Sequence, residues 1–114
     1  MTEERLDREM IAELRAVMED EFPMLLETFF ADTELRLETI RQALMRGDAE
    51  AFGRACHSLK GSASNLGLAV LLRICREGEE RGRSGSLEGG EALFEAIRSE
   101  VAAVIPLLKQ EMVA

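Results

Sequence analysis

From Leu6 to Met112 the apolar residues of this chain return at steps of three and four, and they never alternate with polar ones over the length of a strand. That spacing gathers side chains on one face of a helix turning about 100° per residue and leaves no stretch from which to build a sheet. The core must come from helices alone. Proline and glycine then divide the pattern, at Pro23, Gly47, Gly67 and a glycine-bearing stretch from Gly82 to Gly90.

A first helix is predicted over about Leu6 to Met18, with Leu6, Met10, Ile11, Leu14, Val17 and Met18 on its buried face. Pro23 follows the acidic run Glu19-Asp20-Glu21 and fits the first turn of a second helix reaching about Arg46. Phe22, Leu25, Leu26, Phe29, Phe30, Thr33, Leu37, Ile40 and Leu44 face inward along it. Gly47 suits a C-terminal cap and Asp48 the N-cap of a third helix, about Ala49 to Leu66, which Gly67 ends. Its core residues are Phe52, Ala55, Cys56, Leu59, Ala63 and Leu66. A fourth helix, about Leu68 to Arg81, buries Leu68, Leu71, Leu72 and Cys75, and from Gly82 to Gly90 the chain is expected to be at its most mobile. Ser86 is the candidate cap for a last helix, about Leu87 to Met112. Gly89 and Gly90 weaken its first turns, and Pro106 is predicted to kink it or split off its end.

Four helices of this length with short connections predict an all-α, antiparallel four-helix bundle, with the short N-terminal helix as a lid. A length of 114 residues suits a single domain, 1–114, with its core at about 6–112 and no internal linker. Met1 and the charged residues after it suit a free-standing protein. With 46% hydrophobic residues the core needs no covalent staple. Cys56 and Cys75 are read as reduced, too few for a disulfide scaffold and too far apart in sequence for a zinc site. The formal charge of −8, from 22 acidic and 14 basic residues, argues against nucleic acid, and so do five Phe with no Trp or Tyr. No apolar run approaches the roughly 20 residues of a membrane span and no signal segment opens the chain, so a cytoplasmic protein is expected; a monomer is expected as a separate reading.

His57, the lone histidine, lies in the third helix at about 140° from Phe52, away from a core stripe centred near 0°. Gly53, Lys60, Ser64 and Gly61 share its side, and all but Lys60 are small. Two glycines inside a helix cost about 1 kcal/mol each relative to alanine, and one reason to keep them is that they let another protein approach the ring. An ordinary imidazole, with a pKa of about 6.5, is largely neutral at pH 7 and carries a nucleophilic nitrogen. That nitrogen can accept a phosphoryl group, a transfer governed by positioning and charge neutralisation. From Ala51 to Arg76 there is no Asp or Glu, while Arg54, Lys60, Arg73 and Arg76 make that window +4 on an otherwise acidic chain. It reads as a positive face around His57.

The run His57-Ser58-Leu59-Lys60-Gly61, with Gly67 six residues beyond Gly61, resembles the signature of the histidine phosphotransfer (HPt) domain family, and the likeness extends over most of the chain. The resemblance implies a four-helix bundle in which His57 is the phospho-accepting residue. Lys60 assists beside the phosphohistidine, Gly61 leaves the ring accessible, small or polar Ser64 lies one turn on, and Gly67 packs where two helices approach. Gly53 and Arg54 are candidate docking residues. Gly78 departs from the family, which commonly has a large apolar residue there. The implied role is a phosphorelay carrier in two-component signalling. It would take a phosphoryl group from a receiver-domain aspartate or a kinase and pass it to another receiver. Its partners would be response-regulator receiver domains or a hybrid sensor histidine kinase. No cofactor of its own is expected, Mg²⁺ being carried by the receiver. Without a GxxxxGK[ST] loop the chain is not expected to bind ATP or phosphorylate itself, so it is not read as an enzyme. The competing readings are a helical adaptor or inhibitor that binds a receiver or kinase without accepting phosphate, and a helical dimerisation module.

Overall fold

The computed structural model describes residues 4–113, so Met1 and the terminal Ala114 lie outside it. Five α-helices follow one another: α1, Arg8–Met18; α2, Phe22–Arg46; α3, Ala49–Asn65; α4, Ala69–Arg83; and α5, Gly90–Met112. A single 3₁₀ turn, Glu19–Glu21, joins α1 to α2. Helices α2, α3, α4 and α5 form the four-helix bundle, with α2 against α3 and α5, and α4 against α3 and α5. At 1.5 Å per residue, the 25 residues of α2 run about 37 Å and set the 42 Å long axis.

The turns follow the local chemistry. Asp48 accepts a hydrogen bond from the Ala51 amide at 3.0 Å, capping α3 just after Gly47 closes α2 in the left-handed conformation, φ +68°. Asp7 caps α1 in the same way through the Met10 amide. Phe22, Leu26, Ile40, Phe52, Leu59, Leu71, Ile97 and Leu108 are among the fully enclosed core residues.

The structure differs from expectation in several places. Val17 is 82% exposed instead of buried: α1 spans the end of the bundle, so only a narrow face, centred on Ile11, is enclosed. Helix α5 starts at Gly90, not Leu87, and Ser86 does not cap it. The Ser86 hydroxyl accepts from the Glu88 amide inside the connecting turn. Pro106 does not split α5, which continues to Met112. Both Pro106 and Ala102, the residue whose carbonyl loses its helical donor, are exposed, so the missing bond falls on the solvent side of the helix and not in the core. Val104 and Leu108 meanwhile hold the flanking turns in the core. Gly82 belongs to α4 and not to the loop, and it is buried.

Glycines explain the tightness of the α3–α4 seam. A Cβ on Gly82 would lie 2.4 Å from the Gly53 Cα, and one on Gly78 would lie 2.5 Å from the Cys56 sulfur. Gly78 is therefore small because the Cys56 side chain occupies the space a larger residue would take. Gly67, at φ +66°, turns the chain from α3 to α4, and what approaches it is the start of α1, through Asp7 and Met10.

Candidate functional site

Phe52, Ala55, Cys56, Leu59 and Ala63 lock α3 to the core. One face of the helix is left outward, and His57 stands on it with its side chain 64% exposed. Its Nδ1 lies 3.0 Å from Oε1 of Glu79, a residue of α4 whose side chain is only 6% exposed. Glu79 also lies 2.6 Å from the Lys60 ammonium through Oε2 and accepts from the Arg83 guanidinium at 2.8 Å through Oε1. The Lys60 ammonium beside it, with a further contribution from His57, holds the Glu79 carboxyl below its usual range against the opposing effect of burial.

That arrangement fixes the chemistry of the ring. An ionised carboxylate only accepts hydrogen bonds, so Nδ1 of neutral His57 carries the proton and Nε2 carries the lone pair. Among the described residues nothing bonds to Nε2. The ring is a nucleophile with its proton tied back into the protein and its reactive nitrogen toward solvent.

The structure brings His57 and Lys60 together at Glu79 and sets Gly61 and Ser64 on the same exposed side. A Cβ on Gly61 would meet nothing within 4 Å, so no contact among the described residues calls for glycine there. Gly53 behaves otherwise: it is buried, a Cβ would come within 3.0 Å of the Gly82 Cα, and its smallness serves helix packing. Arg54 is exposed and pairs with Glu50 at 2.5 Å. Gly53, Arg54, His57, Glu79, Arg83, Glu50 and Gly82 line a cleft of about 210 Å³.

The positive face read from the acid-free window is largely neutralised in three dimensions. Glu50 lies just before the window and Glu77 just after it, and each pairs with an arginine one helical turn away, Arg54 and Arg73. Glu79 arrives across the seam from α4. Glu79 and Arg83 are the site residues that sequence reasoning missed. The signal for Glu79 was present: it lies four residues after Cys75 and seven after Leu72, in line with the apolar stripe of its helix, where an unpaired carboxylate is costly to bury. Cys56 and Cys75 are free and buried. Burial, with a smaller effect of the Glu79 charge on Cys56, pushes both thiols up to about 12.

The model of the Hpt domain family matches residues 24–106. Among solved structures, the crystal structure of histidine-containing phosphotransfer protein B (HptB) from Pseudomonas aeruginosa PAO1 superposes with a TM-score of 0.92 at 44% sequence identity, over 96% of each chain. No curated protein sequence matches.

Proposed function

The chain belongs to the Hpt domain family, and on that premise we propose that His57 takes a phosphoryl group on Nε2 from the aspartate of a receiver domain, or from a kinase, and hands it to another receiver. The observation that carries this reading is the state of the ring, with Nδ1–H tied to a buried carboxylate and Nε2 bare and exposed.

The transfer runs in line. The Nε2 lone pair forms the N–P bond as the P–O bond to the aspartate breaks, and that bonding pair leaves on the aspartate carboxylate. The Nδ1 proton stays against Glu79 throughout, so no proton has to enter or leave the site during the step. Glu79 favours positive charge developing on the ring, as a carboxylate does behind a catalytic imidazole. Lys60 keeps Glu79 ionised and in place. By the family resemblance, the charge on the acyl phosphate would be neutralised by a Mg²⁺ and a lysine of the receiver, and this chain supplies neither. Gly61 and Ser64 leave room over the ring for that receiver, and Arg54 flanks the approach. On this reading the chain is a carrier and not an autokinase, works in the cytoplasm, and meets one partner at a time as a monomer. No helix among the described residues is long and apolar enough to cross a membrane.

Incubation with a phosphorylated receiver domain is expected to transfer label to this chain in an acid-labile, base-stable adduct. His57→Gln is expected to abolish it without lowering Tm. Label that survives the substitution sinks the assignment. A His57→Gln chain that still regulates its partner fully makes the protein an adaptor instead.

A further inference from the structure

The seam between α2 and α5 lies diagonally across the bundle from the α3–α4 seam that carries His57. Along it Phe30, Leu37 and Leu44 recur every seven residues of α2, beside Phe94, Val101 and Ile105 of α5. Of these six only Val101 is enclosed, and the others are partly exposed. Two clefts, of about 260 and 290 Å³, open along the seam, and Met45 at the rim of the second is 73% exposed. An apolar strip with this spacing, left half open, is a surface on which further helices pack. The charges beside it fall into two groups. Glu38 pairs with Arg41 and Glu95 with Arg98, each within its own helix. Glu34, Glu91 and Lys109 also line the clefts but have no ion-pair partner among the described residues, and Lys109 lies over the Phe30 ring at 5.8 Å.

We infer that this strip packs against the same strip of a second copy of the chain, α2 antiparallel to α2 and α5 antiparallel to α5, about a two-fold axis crossing the seam at Leu37 and Val101. The placing of the charges selects that occupant. Leu37 lines one cleft with Val101 and Leu44 lines the other with Phe94, so Leu37 and Val101 stand at one level of the antiparallel pair. Glu34 is three residues before Leu37 and Arg41 four after it, while Lys109 is eight after Val101 and Glu91 ten before it. A two-fold axis at that level sets Glu34 opposite Arg41 of the second copy, Lys109 opposite its Glu91, and Phe30 opposite its exposed Met45. Each charge that lacks a partner within the chain gains an opposite one, and symmetry makes every such pair twice. The strip is short, about 21 Å from Phe30 to Leu44 at 1.5 Å per residue, so the interface is small and the pair weak and reversible. The chain is then a monomer in dilute solution. With both His57 faces turned outward, each copy of the pair still meets one partner at a time.

Sedimentation of the full chain from about 1 μM to about 1 mM tests this, and a reversible dimer with a dissociation constant on the order of 100 μM is expected. Lys109→Glu sets like charges opposite each other and is expected to weaken the dimer at least about tenfold, with the circular dichroism of the folded chain unchanged. Adding Glu91→Lys to that variant reverses both members of the pair and is expected to restore association. A chain that stays monomeric over the whole range, a dimer indifferent to Lys109→Glu, or a double variant no tighter than the single one overturns the inference. Phosphoryl transfer from a phosphorylated receiver is expected to run at the wild-type rate in Lys109→Glu. If it slows, the strip receives the receiver instead of a second copy, and the inference fails while the carrier reading stands. A wild-type chain that dimerises as described but takes no label at His57 supports the inference and sinks the carrier reading.

Discussion

One carboxylate, Glu79, sets which nitrogen of His57 is bare and holds the cation of the family signature in place. Replacing it with glutamine keeps an acceptor for Nδ1–H but removes the charge, so Glu79→Gln is expected to slow phosphoryl transfer at least about tenfold while the protein stays folded, as losing an outer partner of a functional histidine commonly does. Stopped-flow transfer from a phosphorylated receiver measures it. The same group predicts a pH dependence. Its folded pKa lies below its unfolded one, so its contribution to stability is complete above the ordinary carboxylate range and is lost as pH falls through the lowered folded value. Urea melts between pH 6 and pH 3 are expected to show a steeper loss for wild type than for Glu79→Gln. Cys56 and Cys75, with thiols pushed up to about 12, are expected to resist iodoacetamide at pH 8 until the protein is unfolded.

At the scale of helices, three positions that look alike as helix-breaking residues differ in what surrounds them. Gly61 has open space where a Cβ would go, so Gly61→Ala is expected to raise Tm by about 4 °C, from about 1 kcal/mol of recovered helix propensity, while slowing transfer to the receiver. Gly82 has backbone in that space, at 2.4 Å from Gly53 and 2.8 Å from the Ala49 carbonyl, so Gly82→Ala is expected to lower Tm. The opposite signs in one pair of thermal melts separate a glycine kept for a partner from one kept for packing. Pro106 stands in an exposed turn of α5, and Pro106→Ala is expected to stabilise the chain by up to about 3 kcal/mol. The helices themselves were legible because Asp48, Gly47 and the three-and-four spacing act within a few residues of where they stand. The start of α5 was not. Ser86 has the chemistry of a cap, but the turn it organises ends before the helix begins.

Over the whole molecule, α1 is fastened across the bundle end by charge. Arg8 and Arg15 both pair with Glu111 of α5, Arg5 pairs with the largely buried Glu100, and Arg15 also lies over the Phe22 ring at 5.4 Å. Glu111→Ala is expected to cost about 1 kcal/mol in urea melts at low salt and less in 1 M NaCl, where exposed pairs are screened. That clasp joins residues about a hundred positions apart, and no local pattern announces it. The amino-acid sequence by itself determined that the chain is helical, where its four long helices run, and that His57 faces outward on one of them, because helical periodicity and capping are local. Only the tertiary structure decided what His57 faces. Glu79 and Arg83 meet it from a different helix, 22 and 26 positions along the chain. The close approach that brings them there depends on glycines at the α3–α4 seam, and neither the distance nor the charge balance across a seam is written in the spacing of either helix alone.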